Sequence, residues 1–175
     1  MKRTTLNGWD SIEEHTADGA VRFEQRARPP ATAVDLSEDG ARDLAERYWR
    51  EVEAFTRRAV QARQLADGLE LRLLGRWTLL SFGRPQLRVD GSQASSRYPI
   101  LGGWLARAPG GSITFAQTVA PELELRETVD GYFPRLGSGP EGPGWRGALP
   151  WQIQRRLHVA VSRRYLALLV DRASR

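Results

Sequence analysis

Tyr98-Pro-Ile-Leu-Gly-Gly-Trp-Leu-Ala-Arg-Ala-Pro-Gly-Gly-Ser-Ile-Thr-Phe115 divides the chain into two halves of matching design. Strand-like runs flank it on both sides, one long helical pattern precedes them, and another follows. Neither Gly-Gly pair leads from a strand into a helix carrying Lys-Ser/Thr, so neither is a phosphate loop. The stretch reads as a bend. Gly102-Gly103 lets a strand kink or a helix approach closely, and Pro109-Gly110-Gly111 makes the next turn. Tyr98, Ile100, Trp104 and Leu105 are then expected to line or cap a cavity.

Upstream of this bend the apolar period is 2. Leu69 to Leu73 alternates, Trp77 to Phe82 is rich in strand formers, and Gln86 to Val89 leads into Asp90-Gly91. Asp-Gly between two such runs predicts a two-residue hairpin with positive φ at both turn positions, its partner strand running from Ser92 to Tyr98. Downstream, Ile113 to Val119 and Leu123 to Val129 alternate again, the second closed by Asp130-Gly131. Short links make neighbouring strands antiparallel. Val21 to Gln25 adds one more strand near the N-terminus.

Two helical patterns frame these strands. Ala41, Leu44, Tyr48, Val52, Phe55, Ala59 and Ala62 recur at steps of three and four, predicting a helix of about 26 to 30 residues. Asp35 or Ser37 caps its start and Asp67-Gly68 supplies its stop. Asp43/Arg47, Glu46/Arg50, Arg47/Glu51 and Glu53/Arg57 are spaced for i,i+4 pairing on its other faces. After the breaker segment 137–144, expected as a surface loop, Pro150 opens a second helix to about Val170. Its core stripe is expected to be Ile153, Leu157, Ala160, Val161 and Leu168. Residues 1–20 show no clear pattern and are expected to form a flexible arm.

The whole chain of 175 residues suits one domain with one core. It has no cysteine, which excludes disulfides and thiolate metal sites, and only two histidines, His15 and His158. No metal centre and no cofactor are expected. No apolar run approaches the roughly 18 residues needed to cross a bilayer. The first ten residues lack the apolar stretch of a secretory signal, so a cytoplasmic location is expected. The net charge of +5 is concentrated in residues 135–175, which hold eight Arg against two acids.

The fold class expected is α+β: a curved antiparallel sheet of about six to seven strands with two long helices packed on it. A closed lipocalin-like barrel is the competitor, and two strong helices count against it. The element order over residues 20–172 resembles the helix-grip fold of START-like proteins, a superfamily of lipid-transfer, polyketide-cyclase and plant-allergen-type domains. The resemblance implies an apolar cavity between the sheet and the C-terminal helix. It also implies a lipid- or polyketide-like ligand, with or without cyclase-like activity.

Two strand residues suggest a polar lining for such a cavity. Gln117 shares a face with Ile113, Phe115 and Val119, and Glu127 shares one with Leu123, Leu125 and Val129. Buried polar groups need partners, which a ligand or water can supply. A nearby arginine, or a bulge that turns Glu127 outward, would serve equally. On the second helix Trp151, Arg155, His158, Ser162 and Tyr165 form a semi-polar flank. His158 and Glu127 would make an acid/base pair if the fold brings them together. Arg97 and Arg135, beside Tyr98 and Phe133, are spaced to hold an anionic ligand group or simply a surface salt bridge. The expected ligand-binding set is therefore Arg97, Tyr98, Trp104, Phe115, Gln117, Glu127, Arg135, His158 and Tyr165.

Two other functions compete with ligand binding. Arg155-Arg156 and Arg163-Arg164 offer a basic helix surface to nucleic acid, an anionic membrane or a protein partner, without an aromatic platform or a recognised nucleic-acid motif. An enzyme would use His158 and Glu127 directly. The ligand-binding reading requires a cavity, and a filled core with no cavity above about 300 Å3 would remove it.

Overall fold

A computed structural model describes residues 2–6, 9–135 and 145–174, with side chains described from Trp9 to Arg135 and from Gln154 to Ser174. The chain is α+β. In order it forms β1 (Lys2–Leu6), β2 (Trp9–His15), β3 (Val21–Ala27), α1 (Glu38–Phe55), β4 (Val60–Leu65), β5 (Gly68–Leu73), β6 (Trp77–Gly83), β7 (Gln86–Asp90), β8 (Gln93–Gly102), β9 (Ser112–Thr118), β10 (Glu124–Tyr132) and α2 (Trp145–Ala173).

All strand pairs are antiparallel, in the order β1-β2-β3-β10-β9-β8-β6-β5-β4, with β7 attached to β8. The sheet is open, ending on β1 and β4, so the closed-barrel alternative does not hold. Among the described residues ten strands replace the six to seven expected. The additions come from both ends of the path. Residues expected as a flexible arm form β1 and β2, with Trp9 to His15 paired along Ala27 to Val21. At the other end lies β4, cut from the tail of the expected first helix.

That helix is 18 residues long, not 26 to 30. The Ser37 hydroxyl accepts from Gly40 N at 3.1 Å and caps it, while Ala41, Leu44, Ala45, Tyr48, Trp49 and Val52 form its buried face. Thr56 ends it, donating its hydroxyl to Val52 O at 2.7 Å, and Arg57 and Arg58 follow at φ 51° and 64°. Two consecutive left-handed residues cannot continue a right-handed helix. Ala62, placed on the helical stripe by spacing alone, belongs to β4, and Ala66-Asp67 is the turn of the β4–β5 hairpin. The Asp43/Arg47 and Glu46/Arg50 pairs form at 2.7 and 3.4 Å. Glu51 turns instead to Arg164 (2.6 Å), and Glu53 accepts from Ala62 N (2.9 Å).

The β7–β8 hairpin closes differently from the Asp-Gly expectation. Asp90 pairs with Gln93, so Gly91-Ser92 is the turn, and neither Asp90 nor Gly91 has positive φ. The Asp90 carboxylate accepts from Ser92 N at 2.9 Å, an Asx turn that stands in for the type I′ geometry. Gly103 explains the central bend. At φ 126° its missing Cβ leaves room for the β6 backbone, since a Cβ there would lie 2.4 Å from Leu79 O. A strand, rather than a helix, makes the close approach. Gly111 serves β10 in the same way, where a Cβ would meet Asp130 O at 2.3 Å. Asp130-Gly131 lies inside β10 at a register shift and does not end the strand.

The core lies between one face of the sheet and both helices. α1 packs on β4, β7, β8 and β9, α2 on β3 and β10, and the helices touch each other. Tyr48 sits at the centre, its ring centroid 4.7 Å from Phe115, 5.1 Å from Trp49 and 5.4 Å from Tyr165. Edge and tilted contacts of this kind add about 0.5–1.5 kcal/mol per pair beyond their burial. The segment 137–144, expected as a surface loop, lies outside the described residues.

Candidate functional site

α2 turns a different face inward from the one its apolar residues suggest. Leu157 and Leu168, expected in the core stripe, are 37% and 51% exposed. Val161 is buried as expected, but Ser162, Tyr165, Leu166 and Leu169 are buried with it, so much of the semi-polar flank is the packed face. Apolar residues surround this helix on several sides, and the neighbours choose the face. Phe23 on β3 meets the His158 ring at 5.5 Å, and Tyr48 and Phe115 meet Tyr165.

This rotation brings His158 to Glu127. Glu127 is completely buried in the middle of β10, between Gln25 on β3 and Phe115 on β9. Its Oε1 lies 3.6 Å from His158 Nε2, a few tenths beyond hydrogen-bond length. On the far side of the ring, His158 Nδ1 is 3.3 Å from the Tyr48 hydroxyl. Both Glu127 oxygens, His158 Nε2 and Ser162 Oγ are buried without a hydrogen-bond partner.

Burial decides the charge state here. It pushes the Glu127 carboxyl up to about 8; the facing Ser162 hydroxyl offsets part of this, and the charge of Glu24 adds to it. Burial alone pushes His158 down to about 4. His158 keeps 17% of its side chain exposed, but Nε2 itself has no solvent contact, so the downward direction stands. At neutral pH the pair is a protonated acid beside a neutral imidazole. The Tyr48 and Tyr165 phenols are also pushed well above their ordinary range, first by burial and then by the Glu127 carboxyl.

His158 lines a cavity; Glu127 stands behind it. The cavity has a volume of about 130 Å3 and takes walls from β3, β4, β5, β6, β8, β9, β10 and both helices. A single space bounded by seven strands shows that the sheet curls around it. Its walls are largely apolar, with Phe23, Leu80, Ile100, Leu105 and Val129 among them. Gln154 and Tyr132 supply polar atoms beside His158.

The other expected site residues have different tasks. Gln117 is a clamp. Its Oε1 accepts from Ala33 N (2.7 Å) and Val34 N (3.1 Å), and its Nε2 donates to Val34 O (2.7 Å). Phe115, Tyr98 and Tyr165 pack in the aromatic core outside the cavity wall. Trp104 is 56% exposed, whereas Ile100 and Leu105 on the same bend do line the cavity. Arg97 lies exposed and donates to Ser112 Oγ at 3.0 Å. Arg135 grips Ala106 O from Nε and Nη2 at 3.3 and 3.2 Å. Neither arginine faces the cavity.

Of the four α2 arginines expected to offer a basic surface, Arg155 is bound to Glu13 (2.6 Å) and Arg164 to Glu51 (2.6 Å), which neutralises half of that set. Among the described residues no His, Asp and Glu side chains gather in a group of three able to hold a metal ion. None of their helices is long and apolar enough to cross a membrane. Sequence reasoning missed Tyr48 and Gln154 as site residues. Tyr48 lay on the α1 apolar stripe, where an aromatic reads as core, and its hydroxyl gives no periodic signal.

No family model, no curated protein and no solved structure matches the chain.

Proposed function

We propose that this protein binds a small, largely apolar molecule in the cavity between the curled sheet and its two helices. The observation that carries this reading is the cavity itself, apolar over most of its wall and backed by a polar pair that the fold leaves unsatisfied. Buried polar atoms without partners are rare in folded proteins and mark places where a bound molecule or water completes the bonding. The placement of β10 between β3 and β9, with α2 lying over β3 and β10, supports the helix-grip resemblance. One cavity dimension narrows the ligand. At about 130 Å3 it falls below the roughly 300 Å3 that the expected lipid- or polyketide-like ligand requires, so that ligand class is given up and a smaller molecule is proposed in its place.

A second reading adds chemistry at the same place. His158 at the wall, with Glu127 3.6 Å behind it, is arranged as a proton carrier and its reserve. Such contacts are commonly long without substrate and tighten when it binds.

Native mass spectrometry of the protein as purified tests the binding reading. A small co-purifying molecule, released on unfolding, is the expected result. An unliganded mass, with no thermal shift across a panel of one- and two-ring compounds, would count against it.

A further inference from the structure

The polar groups around Gln154 specify more about the ligand than the cavity's size does. Tyr132 donates its one hydroxyl hydrogen to Leu105 O at 2.6 Å, a carbonyl that can only accept. The Tyr132 oxygen must therefore accept from Gln154, which it does from Nε2 at 2.9 Å. This fixes the orientation of the Gln154 amide. Its Oε1, the remaining acceptor, is buried and has no partner. Burial pushes the Tyr132 phenol up to about 12, so its hydrogen stays in place through the neutral range. Gln154 lines the cavity, and its unpaired oxygen calls for a donor.

Size supplies the second constraint. A buried apolar cavity of about 150 Å3 accepts one benzene ring, and the volume here is about 130 Å3. Phe23, Leu80, Ile100, Leu105 and Val129 are suitable neighbours for such a ring. Gln154 and His158 are four residues apart on α2, one turn along the same helix face.

Resting on the binding reading above, we propose that the cavity takes a one-ring molecule bearing a hydroxyl, of the phenol class, whose hydroxyl donates to Gln154 Oε1. The ring fills the apolar part of the space, and His158 lies beside the hydroxylated end. Molecules of the same size without a donor lose the polar contact and leave Gln154 Oε1 unpaired.

Phenol and toluene differ only by hydroxyl against methyl, so they separate the two parts of the proposal. Isothermal titration calorimetry would measure both on the full chain and on Gln154→Met. Wild-type protein is expected to bind phenol at least as tightly as toluene, despite the greater hydrophobicity of toluene. Gln154→Met should weaken phenol about tenfold or more and leave toluene within about threefold. Anisole, whose oxygen carries no hydrogen, should follow toluene on wild-type protein, a comparison that does not depend on the variant folding. Toluene binding with phenol at least tenfold weaker would overturn the donor assignment and leave the cavity reading intact. Binding of neither would overturn both.

Discussion

Gln117 and Glu127 carry the same sequence signature, one polar residue on an otherwise apolar strand face, and the fold treats them in opposite ways. Gln117 on β9 meets the backbone of Ala33 and Val34 and makes three hydrogen bonds with it. Glu127 on the neighbouring strand β10 makes none within hydrogen-bond geometry. Both are fully buried. The difference lies in what crosses the open face of the sheet. Near Gln117 that is an irregular segment whose amides need partners. Near Glu127 it is α2, whose backbone groups are already paired and which offers only His158 and Ser162. A satisfied amide closes the structure, while an unsatisfied carboxyl costs stability and signals a site.

Gln117→Leu should be the most damaging change, because it strands two amides and a carbonyl in the interior. The expected loss is about 3–5 kcal/mol, read as a lower midpoint in urea unfolding. A loss under about 1 kcal/mol would show that the Ala33–Val34 segment is held by other contacts.

Glu127→Gln should do the reverse. The folded pKa of Glu127, about 8, lies above the ordinary value of 4.5. Stability is therefore fully present below pH 4.5 and is lost as the pH rises toward 8, where the unfolded chain has long released its proton. Removing the titration should stabilise the protein by about 2–4 kcal/mol at pH 8 and by about 1 or less at pH 5. Melting curves of both proteins across this range check it; parallel curves would mean that Glu127 is ionised in the folded state.

His158 acts on the acid side. Its folded pKa, about 4, lies below the ordinary 6.5, so stability falls as the pH drops from 6.5 toward 4. His158→Gln should flatten that limb by about 1–2 kcal/mol, a figure reduced because part of the ring is exposed. The same pH series reads it out, and an unchanged limb would assign the acid sensitivity to other groups. Arg155→Ala, which breaks the Glu13 ion pair on the rim of the same region, should cost only about 0–1 kcal/mol and less in high salt. A larger loss would make β2 a stronger support for α2 than its ion pair implies.

The strands of the meander, the start of α1 and the inward placement of Gln117 and Glu127 were legible because period-2 alternation and an N-cap leave local traces. The end of α1 was not. Ala59 and Ala62 continue the helical spacing, and the break comes from Arg57 and Arg58 in left-handed conformation, which arginine does not announce. β1 and β2 were hidden for a different reason. Trp9 to His15 is mostly polar, and it is a strand because β3 offers it an edge. Leu157 and Leu168 were misassigned since α2 has apolar residues on more than one face, leaving the partners in space to select the buried one. Glu127 and His158 are 31 positions apart, and only the rotation of α2 over β10 brings them together.

The proposed site depends on the Glu127 carboxyl being held neutral beside His158, behind the cavity wall. Its most direct measurement is the 13C chemical shift of the Glu127 carboxyl followed by NMR through a pH titration of the folded protein. A midpoint near 8 is predicted. A midpoint near 4.5 would mean that water or another partner already satisfies Glu127, and the site as described would not exist.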